Sequence, residues 1–499
     1  MEKIKEKIKK ITLNQWHIVL IVLGIIFIGL GAFHNNVWFD ESYSVAMANH
    51  SFGEIWSIGG HDVHPVLYYW ALRIVCLLTG GSIIAYRLFS AIPIAIMIIL
   101  GYTHIRKDFG EKTGLIFSFL AAFLPEMATY AIEVRMYSWA ILTVTLLAIY
   151  AYRLSKEDKT KHWIIFGISS IASIHLHYYG LMAAGLINVA LLVYLIIKKR
   201  KTGLIFIISF GIVQALSYLP WLMFLATQMK QVSGGFWISL EFPKAPMELL
   251  SSQLAGYIRT GDYRELLVPT VLAIELYAYM IYKTYKLHKE KQDIKPILWS
   301  SGMYLAVILA AWIMTKILGT AILYYRYLFV ITGLYVFAIS YILNKEKSNV
   351  AIVSILVVIA GLGIYNNIGM IKDNYSSSNA KPLNYLEENI KEDDTIVFVD
   401  NALGSGSVVT VNFKDNKTYF YNSQNWGVEE AYRAFGPNYE TVVTKDFIEN
   451  CNDRIWIIED VSGSSVNDVI EDTEYKVVSE EQFFTEYHGY TYKITLVEK

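Results

Sequence analysis

The chain has 499 residues, of which 54% are apolar and 17% are charged. Soluble domains typically carry about 25% charged residues, so this composition excludes an ordinary soluble enzyme. The net charge is −1, so no basic excess indicates a nucleic-acid partner. Its two cysteines, Cys76 and Cys451, lie in very different segments without CxxC or zinc-type spacing, which argues against a disulfide framework.

Apolar runs of membrane-spanning length recur from Gln15 to about Ile368. Because only helices satisfy their own backbone in lipid at these lengths, the sequence predicts a polytopic α-helical membrane domain. A lysine-rich N-terminus marks that end as cytoplasmic. The alternative is a cleaved signal peptide, but the apolar run from Trp16 to Phe33 exceeds the usual h-region of about 7–15 residues. The N-terminal lysines are Lys3, Lys5, Lys7, Lys9 and Lys10.

Further basic clusters separate successive pairs of apolar runs, which fits two membrane crossings between one cluster and the next. This parity requires that Pro65–Thr79 does not cross. That segment is only 15 residues long and contains Arg73, so we interpret it as a helix lying on the outer membrane surface. The count is then about 11 transmembrane helices, with the N-terminus cytoplasmic and the C-terminus outside.

After Asn367 the chain becomes acidic and soluble in character. Runs of β-branched and aromatic residues predict strands at Thr395–Val399, Arg454–Ile458 and Tyr490–Val497, and Pro382–Ile390 predicts a short amphipathic helix. We expect a small extracytoplasmic α/β domain, without a recognisable catalytic motif. The predicted divisions are a membrane domain at 1–368 with its first outer loop at 34–82, a linker at 369–380, and the α/β domain at 381–499.

The first outer loop carries the strongest chemical signal. Asp40 and Glu41 are adjacent, directly after Trp38-Phe39, and Asp62 and His64 follow in the same loop. Burying carboxylates near the membrane surface costs desolvation free energy, so acids at this position indicate a functional role more than a structural one. A carboxylate here could act as a general base, and Asp40, Glu41 or His64 could hold a divalent cation. The alternatives are that the acids are solvated loop residues and that His64 only caps the following helix.

Three later groups also lie at span ends on the outer side. Glu133 and Arg135, with Tyr137, are either a self-satisfied ion pair or part of a polar cavity. His177 follows His175 at i, i+2, a spacing that does not share a helix face and gives only a weak indication of metal. Arg326, flanked by tyrosines, is either an interfacial anchor or a bidentate ligand for a lipid phosphate.

Taken in order, these motifs resemble the GT-C membrane glycosyltransferases. More narrowly, they resemble bacterial members akin to the protein O-mannosyltransferases (glycosyltransferase family 39) and the aminoarabinose transferase of lipid A. The resemblance covers roughly Trp16 to Leu343, and one departure is Val66 where the usual motif is His-Pro-Pro. The motifs are Asp40-Glu41, His64-Pro65-Val-Leu-Tyr-Tyr69, Arg87-Leu-Phe-Ser90, Glu133-x-Arg135-Met-Tyr137, His177-Tyr-Tyr-Gly180, Leu219-Pro-Trp221 and Arg326-Tyr327.

The resemblance implies a GT-C-like enzyme of the bacterial cytoplasmic membrane. It would transfer a hexose or pentose, with inversion, from a polyprenyl-phosphate donor to a hydroxyl of a glycan, lipid or protein at the outer face. Asp40 would be the base and Glu41 its neighbour, with Asp62, His64, Glu133, Arg135, Tyr137, His177 and Arg326 binding substrate. No cofactor is certain, and a divalent cation is left open.

The sequence leaves two other classes of protein open. The first is a transporter or flippase for lipid-linked glycans, in which the same polar residues line a path. The clustering of acids and histidines at the outer face argues against it, because transport sites lie near the midplane. The second is a non-catalytic membrane anchor for the α/β domain, which leaves the acids and arginines at span ends unexplained.

Overall fold

The computed structural model describes residues 12–233, 237–256, 263–451, 453–460 and 465–499. The predicted N-terminal lysine cluster therefore lies outside the described residues. Packing divides the chain into two compact units. One comprises the described parts of Met1–Ala32 and Arg87–Ile368, and is called the membrane unit below. The other comprises Phe33–Tyr86 and Gly369–Lys499, and is called the loop–sheet unit.

The membrane unit is built from long apolar helices. Among the described residues, eight helices are long and apolar enough to cross a membrane, and a ninth follows if the bent pair Glu111–Phe123 and Pro125–Ile132 forms one span. The eight are Ile83–Phe109, Tyr137–Lys156, Tyr178–Ile197, Lys201–Ser233, Arg264–Lys289, Lys295–Leu318, Tyr325–Asn344 and Asn349–Asn389. The last of these is one α-helix over Asn349–Asn374, followed by a 3₁₀ turn and the helix Lys381–Asn389. Its residues up to Ile368 belong to the membrane unit and the rest to the loop–sheet unit.

Two shorter helices, Leu13–Gly29 and Thr160–Leu176, lie where the sequence predicts further spans. Each has 17 residues, at the lower end of the roughly 17–25 residues that cross a bilayer. The helical membrane fold is therefore confirmed, and the count of 11 spans stays a prediction. Lys244–Ala255 is a further helix of this unit.

The loop–sheet unit begins with three short helices: Phe39–Met47, Phe52–Gly59 and Leu67–Thr79. The third buries Tyr68, Tyr69, Leu72 and Cys76 on one face, while Leu77 and Leu78 are exposed. Thirteen residues rise only about 20 Å, which is too short to cross a hydrocarbon core of about 30 Å. The helix ends at Gly80, whose positive φ of 68° suits glycine.

The C-terminal part of this unit is a six-stranded sheet flanked by helices, which confirms the predicted α/β class. The strands are β1 (Thr395–Val399), β2 (Thr418–Tyr421), β3 (Tyr439–Val442), β4 (Arg454–Glu459), β5 (Lys476–Phe484) and β6 (Thr491–Glu498). Their order is β3-β2-β1-β4-β6-β5, with the first four parallel and β6 antiparallel to both neighbours. β1 is buried along its whole length, as a central parallel strand of apolar β-branched residues should be.

Candidate active site

The two predicted loop acids occupy the first turn of helix Phe39–Met47, where carboxylates interact favourably with the helix dipole. Their environments differ. Glu41 is fully buried, and its carboxylate accepts a hydrogen bond of 2.7 Å from the hydroxyl of Tyr487. Asp40 is only partly buried. Adjacent carboxylates in such different surroundings are suited to different roles.

Tyr487 belongs to the connection between β5 and β6, residues 485–490, called the hairpin tip below. Both His488 and Gly489 have positive φ, of 58° and 63°, which is the conformation of a type I′ turn. The turn presents aromatic side chains to the first loop: His488 stacks on Trp38 at 4.4 Å, and the hydroxyl of Tyr490 accepts a hydrogen bond from the Phe39 backbone N–H. The start of the acid-bearing helix is thus held by the end of the chain.

Asp62 and His64 lie next to each other in the same unit. Nδ1 of His64 is 3.7 Å from Oδ2 of Asp62, and that oxygen also accepts a hydrogen bond of 3.2 Å from Tyr69. The following helix begins at Leu67, and its N-cap, Val66, has no side-chain cap hydrogen bond. The N-cap position of this helix is thus occupied by Val66 and not by His64.

Tyr432 links the two acid sites electrostatically. Burial raises the pKa of its phenol above the ordinary value, and the negative charges of Asp62 and Asp40 raise that pKa further. Tyr432 therefore stays protonated over the physiological range and lies within electrostatic range of both carboxylates. The sequence contains no signal for this role, because Tyr432 follows the two acids by hundreds of residues.

No group of three or more His, Cys, Asp or Glu side chains suitable for a metal ion occurs in the described part of the chain. Asp40, Glu41 and His64 do not form such a group. The divalent cation left open by the sequence gains no support from this geometry.

The remaining predicted residues lie in the membrane unit. Glu133 and Arg135 occupy the turn between helices Pro125–Ile132 and Tyr137–Lys156. Oε1 of Glu133 is 3.8 Å from Nη1 of Arg326, so the glutamate has a cationic neighbour far away in the sequence. This turn is held by Arg87, which is 1% exposed and donates to the backbone oxygen of Ile132.

His177 forms the N-cap of helix Tyr178–Ile197, where its Nδ1 accepts a hydrogen bond from the backbone N–H of Tyr179. Its ring lies among aromatic side chains, 5.6 Å from Tyr137 and 5.0 Å from Tyr327. His175 instead contacts Ser217. The two histidines therefore have different hydrogen-bond partners.

Arg326 is 16% exposed and lies over the ring of Tyr324 at 5.9 Å. Tyr324 also lines a cavity of 190 Å³ together with Trp237, Lys244 and Glu248. The arginine is thus the centre of a polar and aromatic group at the start of a predicted span, next to Glu133.

Two comparisons bear on this chain. Residues 63–224 match the family model described as dolichyl-phosphate-mannose-protein mannosyltransferase. Crystal structures of ArnT from Cupriavidus metallidurans match the whole fold, in the apo state with a TM-score of 0.62 and bound to undecaprenyl phosphate with a TM-score of 0.60. Each covers 97% of both chains at 10% sequence identity. No curated protein sequence matches significantly.

At this identity the structural match shows the fold, and the family model adds a sequence match that includes His64, Glu133, Arg135 and His177. The resemblance predicted from the motifs is therefore confirmed: the chain has the fold of ArnT, and residues 63–224 match the mannosyltransferase family model.

Proposed function

We propose that this protein transfers a sugar, with inversion, from a polyprenyl-phosphate donor to an acceptor hydroxyl at the outer face of the cytoplasmic membrane. The observation that carries the proposal is the asymmetry of the adjacent carboxylates: Glu41 is buried and held by Tyr487, whereas Asp40 is partly exposed. A partly exposed carboxylate beside a fixed one suits a base that must reach a substrate hydroxyl.

In the proposed step, the carboxylate of Asp40 takes the proton of the acceptor hydroxyl as the acceptor oxygen bonds to the anomeric carbon. The bond between that carbon and the phosphate oxygen breaks, and its electron pair leaves with the polyprenyl phosphate. Attack from the opposite face inverts the anomeric centre, and the transition state is oxocarbenium-like by analogy with glycoside hydrolysis. The phosphate is already a good leaving group, so no strong acid is needed.

The departing phosphate needs positive charge, and Arg326 is the residue we assign to it. Its guanidinium fork matches two phosphate oxygens, and the ring of Tyr324 orients it. Arg135 is the second candidate cation. One of the ArnT structures is bound to undecaprenyl phosphate, which supports a lipid-phosphate ligand for a protein of this fold.

The other predicted residues are assigned to the sugar and the acceptor. Asp62 and His64 offer hydrogen-bonding groups in the same unit as Asp40, and Tyr432 adds a protonated phenol. The predicted motifs of the membrane unit contain Glu133, Tyr137 and His177. Of these, Glu133 lies beside Arg326 in space. A binding role for them stays a proposal.

The test is release of polyprenyl phosphate by the purified full-length protein in detergent, with a panel of polyprenyl-phosphate sugars and acceptors. We expect release with one sugar class and transfer to a hydroxyl with inverted configuration. Mass spectrometry of envelope glycans, with and without the gene product, identifies the acceptor. If no donor is turned over while proteoliposomes translocate lipid-linked glycans, the transporter alternative replaces the proposal.

A further inference from the structure

One cavity of the membrane unit contains none of the candidate active-site residues among its lining side chains. It has a volume of 380 Å³, within the range of about 300–1,000 Å³ that is usual for ligand sites. Its walls are mainly apolar, with Phe117, Ala148 and Leu191 among them. An apolar cavity of this size in a membrane unit can accommodate a lipid chain.

The position of the cavity follows from two helices that run past it. Helix Tyr137–Lys156 begins beside Glu133 and ends at the cavity with Lys156. Its 20 residues span about 30 Å. Helix Tyr178–Ile197 likewise begins after His177 and is followed at the cavity by Lys198. The cavity therefore lies at the opposite end of these helices from the predicted substrate-binding residues, the end that the basic loops mark as cytoplasmic.

Charge at the mouth of the cavity is mostly positive. Lys156, Lys198 and Lys295 line it, and all three are exposed. The acidic residue among the lining side chains is Asp293, so the mouth carries a net positive charge. Basic residues at the mouth of an apolar cavity between membrane helices are suited to bind a lipid with an anionic headgroup.

The walls also depart locally from regular packing. Ile105 lines the cavity from a π-helical segment, Gly101–Ile105, and such segments are rare and often occur at functional sites. Gly333 and Thr145 also line the cavity, and a Cβ added to Gly333 would lie 1.9 Å from Oγ1 of Thr145. Glycine is therefore required there for the two helices to approach each other beside the cavity.

We infer that this cavity binds an anionic phospholipid of the adjacent leaflet, with one acyl chain inside and the phosphate on Lys156, Lys198 and Lys295. The inference does not depend on the proposed transferase activity, because it concerns the other end of the helices. Such a lipid would fill the space between spans and stabilise the membrane unit by mass action.

The test uses the full-length protein in nanodiscs containing phosphatidylglycerol and phosphatidylcholine with identical chains, read by native mass spectrometry. We expect retained phosphatidylglycerol and little phosphatidylcholine. The triple variant Lys156→Gln/Lys198→Gln/Lys295→Gln should lower phosphatidylglycerol retention at least tenfold. Ala148→Phe, which fills the cavity without changing charge, should lower it too.

A charge-matched control is the triple variant Lys286→Gln/Lys289→Gln/Lys291→Gln, whose exposed lysines belong to the same predicted side but do not line the cavity. Its lipid retention should equal that of the wild type. Equal loss in both triple variants overturns the site, because it indicates non-specific attraction. Competition by inorganic phosphate at the potency of phosphatidylglycerol, or preferential binding of a polyprenyl phosphate, overturns the assignment to a phospholipid.

Discussion

The contact between Tyr487 and Glu41 makes a quantitative prediction. The Tyr487→Phe substitution removes one hydroxyl and retains the ring. Because that hydroxyl donates at 2.7 Å to a carboxylate that is fully buried, its loss should cost about 1.5–3 kcal/mol, the range for hydrogen bonds to charged groups. If Glu41 must be held for Asp40 to act, the same energy corresponds to a fall in turnover of about 10- to 150-fold.

The assay compares the turnover number, donor affinity and thermal unfolding of the wild type and Tyr487→Phe. We expect lower turnover and lower stability with unchanged donor affinity. Tyr341→Phe is the matched control: its hydroxyl donates to the neutral backbone oxygen of Asp293, so its loss should cost only about 0.5–1.5 kcal/mol and leave turnover unchanged.

A double-mutant cycle separates positioning from a general loss of stability. If Tyr487 acts through Glu41, the double variant Tyr487→Phe/Glu41→Gln should lose little more turnover than Glu41→Gln alone, since contacting residues couple by about 0.5–3 kcal/mol. Additive losses, or wild-type turnover in Tyr487→Phe, would refute the positioning role.

Three further predictions concern Arg326, the topology of the first loop and the ion pair between Glu346 and Lys283. Arg326→Lys keeps the charge but loses the fork, so it should weaken donor binding severalfold; unchanged donor affinity in Arg326→Ala would return this arginine to interfacial anchoring. With a membrane-impermeant thiol reagent, Thr79→Cys should react from outside and Lys107→Cys only from inside; labelling of Thr79→Cys from the cytoplasm alone would contradict the predicted topology. The pKa of Glu346 is lowered to about 2, chiefly by its hydrogen bond from Lys283, so its stabilisation is present above the ordinary pKa of 4.5 and is lost as the pH falls towards 2. Glu346→Gln should therefore lower the unfolding temperature at pH 7, with a difference that shrinks below pH 4; an equal difference at both pH values would rule this out.

The native cysteines leave a low background for that labelling experiment. Both are buried and neither forms a disulfide. Burial raises the pKa of the Cys451 thiol to about 11, so little reactive thiolate is present at neutral pH.

Local patterns were sufficient to predict much of the fold. The strand at Thr395–Val399 has the predicted bounds, because a short run of apolar β-branched residues strongly favours a buried strand. β5, at Lys476–Phe484, was not predicted. It is an edge strand, largely exposed, and its polar residues hide the period of two that a half-buried strand would show.

Some residues of the candidate site could be predicted from the sequence and others could not. Asp40, Glu41, Asp62 and His64 could be singled out because charged residues beside membrane spans are costly and short loops bring them together. Tyr487 could not, because it contacts Glu41 across 446 residues of sequence and no local pattern encodes that pairing. The available signal was the His488-Gly489 dipeptide between tyrosines, which suits a tight hairpin turn.

We assign the role of base in sugar transfer to Asp40, and turnover of a polyprenyl-phosphate sugar by Asp40→Asn measures that role directly. This variant keeps the shape of the side chain and removes its basicity. We predict that turnover falls by about 10²–10⁴-fold, the usual contribution of general-base catalysis, while the donor binds as in the wild type. Near-normal turnover in Asp40→Asn would show that Asp40 is not the base and make Glu41 or Asp62 the next candidate.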